Sequence, residues 1–98
     1  MADELKQYIT LINQNLEALR RKFGVKKIAI FGSMARGDNK KKSDIDIIVE
    51  LDKPRGFFNF IELENHLSKI LGKKVDLTTK NSLKPAVKKS VLKEAVYV

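Results

Sequence analysis

The chain has 98 residues, a net charge of +8 and no cysteine. That length supports one hydrophobic core and leaves no material for a second domain with its own substrate pocket, so residues 1–98 are expected to form a single domain. Disulfide and thiolate chemistry are excluded, no apolar run approaches the roughly 20 residues that cross a bilayer, and the acidic, lysine-bearing start lacks a signal-peptide pattern, which predicts a cytoplasmic protein.

From the amino end, Leu5, Tyr8, Ile9, Ile12, Leu16 and Leu19 recur at helical spacing and predict one amphipathic helix ending before Gly24. Ile28, Ala29, Ile30 and Phe31 have the length and residue types of a buried strand, which places Gly32 and Ser33 at a strand's end. Glycine there permits backbone conformations and close approaches that a side chain blocks. Ser33 is expected to cap the short turn Met34, Ala35, Arg36, whose free N–H groups and positive helix end favour an anion such as a triphosphate, with the Arg36 cation beside it. After a ten-residue gap come Asp44, Ile45 and Asp46, opening a second strand through Val49. Lys53, Pro54, Arg55 and Gly56 read as a turn. Phe60, Leu63, Leu67, Ile70 and Leu71 predict a helix stopped by Gly72, and Val75, Asp76 and Leu77 a strand. Leu83, Val87, Val91 and Ala95 mark a last helix with Pro85 in its first turn, followed by an apolar end of Val96, Tyr97 and Val98. The result is an α/β (α+β) chain with about four helical stretches and a small mixed sheet of about three strands.

Side chains two apart on a strand share a face, so Asp44 and Asp46 project together while Ile45, Ile47 and Val49 turn toward a core. Two such carboxylates repel unless a cation lies between them. Hard oxygen donors, with neither His nor Cys nearby, suit Mg²⁺ and not zinc. An antiparallel first strand brings Gly32 beside the start of the Asp44 strand, and a crossover helix over 57–71 makes the Asp76 strand parallel to it. Gly32, Ser33, Asp44, Asp46 and Asp76 then meet at one edge of the sheet, and such convergence is what a site requires.

Gly32-Ser33-Met34-Ala35-Arg36-Gly37 and Ser43-Asp44-Ile45-Asp46-Ile47-Ile48-Val49, followed by a helix and Val75-Asp76-Leu77, resemble the signature of the nucleotidyltransferase superfamily that includes DNA polymerase beta. The compact chain resembles its minimal branch, the MNT domains, over residues 23–98. The resemblance implies a polymerase beta palm-like fold and transfer of a nucleotide from Mg-ATP. Asp44, Asp46 and Asp76 would be the catalytic and Mg²⁺-binding carboxylates, with Asp76 a metal ligand or the general base. Gly32, Ser33 and Arg36 would hold the nucleoside triphosphate. MNT domains of this kind are paired with a helical HEPN ribonuclease toxin and act as its antitoxin by transferring AMP to a toxin tyrosine, an arrangement of type VII character. Two alternatives stand beside this one: nucleotidyl transfer to a small molecule with a companion subunit, and a non-catalytic antitoxin that works by contact.

The lysines cluster at Lys26-Lys27, Lys40-Lys41-Lys42, Lys73-Lys74 and Lys88-Lys89. They suit either attraction to a nucleotide or RNA, or an ordinary solvated surface, and no aromatic residues are interleaved as a base-stacking platform needs. The stretch 40–42 fits a loop that closes over phosphates as well as a plain turn. Arg36 can serve an anion or a structural ion pair, and Asp76 can be a surface ion-pair partner of the lysines before it. Phe57, Phe58 and Phe60 are expected chiefly in the core with one of them exposed, and His66 on the surface.

Overall fold

The structure is a computed structural model and describes residues 3–40 and 43–98. Its centre is a four-stranded sheet of order β3-β2-β1-β4. Strand β1 (Val25–Phe31) pairs antiparallel with β2 (Ile45–Leu51), and β3 (Val75–Thr79) runs parallel to β2 after the crossover helix α4 (Gly56–Leu71). The fourth strand, β4 (Val96–Tyr97), lies antiparallel to β1 on the other edge. It comes from the apolar end of the sequence, where two residues are too few to show a strand period.

The amino-terminal helix is broken. Helices α1 (Asp3–Gln14) and α2 (Leu16–Phe23) meet at Asn15, where one uninterrupted helix was expected. The Asn15 side-chain amide donates to the Leu11 carbonyl at 2.8 Å, and its backbone N–H donates to Ile12 at 3.0 Å. Asparagine competes for backbone groups in this way, and the bend keeps Leu5 and Ile12 on one side of it, and Leu19 and Phe23 on the other, turned into the core.

One sheet face carries the main core. Ile28, Ile30, Ile45, Ile47, Val49, Val75 and Leu77 pack there against α1, α2 and Leu63, Leu67 and Leu71 of α4. The other face is covered by α5 (Pro85–Glu94), whose Val91 packs on Ala29 and Ile48. Ile48 is therefore buried as well as its alternating neighbours, the usual state of a central strand covered on both sides. Pro85 falls in the first turn of α5, where its missing N–H leaves no bond unmade. Lys80–Ser82 forms a short 3₁₀ turn before it.

Helix α4 also fixes the outer edge of β3. Val75 N–H donates to Ser68 Oγ and Leu77 N–H to Glu64 Oε2, each at 3.0 Å, so the strand bearing Asp76 is held on both sides. Phe60 packs against the core, while Phe57 and Phe58 are both exposed, at 71% and 82%, where one was expected. His66 is half-buried, with its ring 5.2 Å from that of Phe23, and burial together with Lys22 and Lys69 lowers its pKa. Lys41 and Lys42, and with them the closing of stretch 40–42, lie outside the described residues.

Candidate active site

The site is assembled by sheet register. Phe31, the last residue of β1, is the partner of Asp46 on β2, and Asp46 is in turn the partner of Asp76 on β3. Register partners on neighbouring strands point to the same face, so Asp46 and Asp76 share the face that α5 covers further along. Asp44 stands just before β2, with its Oδ2 3.9 Å from Lys74 Nζ. Lys73 pairs with Glu4 at 3.8 Å; among the described residues neither lysine before Asp76 is within ion-pair distance of it, and Asp76 is exposed.

Immediately after Phe31 the chain turns into the short helix α3 (Gly32–Arg36). Gly32 has a φ of 71°, in the left-handed region, and a Cβ on it would run into the Asp46 carboxylate. Both facts require glycine: one for the backbone, the other for the approach of the turn to Asp46. Ser33 does not cap this helix. Phe31 takes the cap position with no side-chain bond, and Ser33 lies inside the first turn, half-buried, its carbonyl accepting the Asp38 N–H at 3.1 Å. The start of the helix one residue earlier, at Gly32, is the reason.

Asp46 is half-buried, and among the described residues no basic side chain lies within ion-pair distance of it. Burial, then Asp76 and Asp44, raise its pKa above the ordinary carboxylate value, with Arg36 acting in the opposite sense. This is the pattern of a carboxylate whose negative surroundings call for a cation. Among the described residues no group of three or more acidic, imidazole or thiol side chains is gathered closely enough to hold a metal ion, so Asp44, Asp46 and Asp76 do not form a three-carboxylate cluster. Mg²⁺ characteristically takes one or two carboxylates and completes its shell with water and phosphate oxygens, so one or two of these aspartates at an open edge have the donor chemistry that ion accepts.

Arg36 is engaged. Its Nη1 lies 3.2 and 3.3 Å from the two oxygens of Glu94, and its Nε 3.3 Å from Asp38. Glu94 also accepts the Gly32 N–H at 3.1 Å. Sequence reasoning missed Glu94: it is 62 residues from Gly32 and belongs to no motif, and only its place at the end of a helix expected to pack on the sheet could have pointed to it.

An antiparallel strand pair that presses a glycine turn against a carboxylate of the neighbouring strand, with a parallel strand adding another, defines a palm-like nucleotidyltransferase fold. Residues 12–98 match the family described as a nucleotidyltransferase domain, and the chain belongs to that family. It is 43% identical over 94 residues to the protein adenylyltransferase MntA of Thermococcus cleftensis, which covers 96% of this chain and 95% of that protein. A solved structure described as a minimal nucleotidyltransferase is similar with a TM-score of 0.82 and 29% identity, covering 94% of this chain and 93% of that one. A chain of a toxin–antitoxin crystal structure with AMP-PNP gives a TM-score of 0.72 and 27% identity, covering 87% of this chain and 69% of that one. Among the described residues no helix is long and apolar enough to cross a membrane.

Proposed function

We propose that this chain is a protein adenylyltransferase that uses Mg-ATP to place AMP on a hydroxyl of a partner protein, a tyrosine of a HEPN-type toxin, and so acts as the antitoxin of the pair. The observation that carries the reading is Asp46: half-buried, without an ion-pair partner among the described residues, in register with Asp76 and touching the Gly32 turn. The likeness to an adenylyltransferase over nearly the whole chain, and to a toxin–antitoxin structure with AMP-PNP, supports the nucleotide and the partner class.

In this mechanism Asp44 and Asp46, with Asp76 beside them, would hold Mg²⁺, which when bound would supply the positive charge that the triphosphate needs. Gly32 and Ser33 are assigned to the β and γ phosphates, and the absence of a side chain at Gly32 would let the backbone come close. The acceptor oxygen attacks the α-phosphorus; the new O–P bond forms as the bond to the bridging oxygen of the β-phosphate breaks, and pyrophosphate leaves in line. Asp76, exposed at the same edge, takes the hydroxyl proton. The protein's part is positioning and charge placement.

The test is incubation of the purified chain with α-labelled ATP, Mg²⁺ and the product of the neighbouring reading frame. Label on a tyrosine of that protein, lost in the Asp44→Asn, Asp46→Asn double variant, is the expected result. Neutralisation of the partner that survives the double substitution would overturn the catalytic reading in favour of simple contact, and label on an aminoglycoside-like small molecule but never on protein would overturn the acceptor.

A further inference from the structure

The Glu94 carboxylate closes α5 and ties together two points that the fold otherwise leaves to separate fates. Its Oε1 accepts the Gly32 N–H at 3.1 Å and Arg36 Nη1 at 3.2 Å, and its Oε2 accepts Arg36 Nη1 at 3.3 Å. Gly32 opens α3 and Arg36 ends it. One side chain therefore fastens both ends of that short helix to α5, and the fastening point is itself immobilised, because Val96, two residues on, pairs with Ile30 of β1.

A further carboxylate at the edge that already holds Asp44, Asp46 and Asp76 adds repulsion, so its presence there needs a local cause. The backbone amide and the guanidinium supply one, and charge-assisted bonds of this kind are about twice as strong as neutral ones. Two consequences follow for the site. The Gly32 turn is held at its distance from Asp46, where the chain has no room for a Cβ. The Arg36 guanidinium, on a long side chain that is 49% exposed, is held on Glu94 and Asp38, so that it acts on Asp46 only from a distance and forms no ion pair with it.

We propose that Glu94 is a positioning residue for nucleotide binding: it fixes the Gly32 turn and withholds Arg36 from Asp46, leaving that carboxylate open to a cation and a triphosphate. The proposal rests on the nucleotidyl-transfer reading above. Its nucleotide readout is the affinity of the chain for Mg-AMP-PNP by calorimetry, which needs no acceptor, and its structural readout is the Gly32 amide resonance.

In Glu94→Ala the dissociation constant is expected to rise about 10- to 100-fold, the range for supporting partners around metal sites. The Gly32 amide proton is expected to move upfield, with the far-ultraviolet spectrum unchanged. Glu94→Gln keeps an acceptor for the amide, loses the charge on Arg36, and is expected to fall between the two; it carries the test by itself if the alanine variant does not fold. In a turnover assay the change is expected in the KM for ATP more than in kcat. A folded Glu94→Gln or Glu94→Ala protein that binds Mg-AMP-PNP as the wild type does, with only its melting temperature lowered, overturns the proposal by making Glu94 a structural tie alone. A wild-type chain that binds no Mg-AMP-PNP, alone or with its partner, overturns the functional reading instead, and the Gly32 resonance still shows whether the tie exists.

Discussion

Strand β1 begins and ends on the same device, used to opposite effect. Gly24 before it and Gly32 after it are both in the left-handed region, with φ of 73° and 71°, and each is pressed against a carboxylate at or just past an end of β2: a Cβ at Gly32 would strike it directly, and one at Gly24 would strike the arginine bound to it as well. At the Gly24 end that carboxylate is Asp52. Arg55 holds it through two bonds of 2.9 Å, and the Asp52 N–H donates to the Gly24 carbonyl at 2.8 Å. At the Gly32 end it is Asp46, with other carboxylates for company and Arg36 diverted to Glu94. The pKa of Asp52 is accordingly lowered, first by its bond to Arg55, and that of Asp46 raised, first by burial. Geometry alone does not separate a structural corner from a site; the balance of charge around it does.

The sharpest way to break the comparison is to neutralise each carboxylate in turn. Asp46→Asn is expected to lower adenylyl transfer by about four orders of magnitude, the scale for a residue acting directly in catalysis. It should also raise the melting temperature in magnesium-free buffer, because it removes an ionised group that folding disfavours. Gly32→Ala should lose about 100-fold in transfer through displacement of the turn, and about 1–2 kcal/mol of stability from left-handed alanine, read by urea titration. Gly24→Ala should show a similar loss of stability with unchanged transfer per folded molecule.

The smallest effect is expected from Asp52→Asn: a modest fall in melting temperature at neutral pH and no change in activity. The pH dependence has opposite signs at the two ends. A carboxyl whose folded pKa is lowered stabilises above its unfolded pKa of about 3.9, and that contribution disappears as pH falls through the lower folded value. Asp52 follows this course. Asp46, with its raised value, disfavours the folded state at neutral pH, and the penalty is relieved as pH falls through the raised value. Melting curves of the two Asn variants against wild type from pH 7 downward should therefore diverge in opposite directions at neutral pH and converge in acid.

The site edge was legible because strand arithmetic is rigid. The crossover helix made β3 parallel and the register then brought Asp76 beside Asp46, while Asp44 stands just before β2 and has no strand register of its own. Other features had no periodic signal. The bend at Asn15 depends on one side chain capturing one carbonyl, against a continuous apolar stripe. Strand β4 is shorter than any pattern, Phe57 and Phe58 lie on a helix turn that the core does not reach, and His66 found an aromatic neighbour far away in sequence. Glu94 illustrates the general limit: the sequence marks which residues can ligate, but the partner that restrains them is set by tertiary packing.

The two rims of the sheet are finished differently. Along β3 the side chains of Ser68 and Glu64 occupy alternate amides, whereas β4 shields β1 only at Ala29 and Ile30, with a further bond from Val98 to Ile28. Below that point the remaining rim carries Lys26 and Lys27, both exposed, the first 4.0 Å from Glu50, and lysines on an open rim discourage a second chain from adding itself there. Such a guard is electrostatic and weakens with ionic strength, so concentrated protein in molar salt should self-associate through this rim before its core loosens.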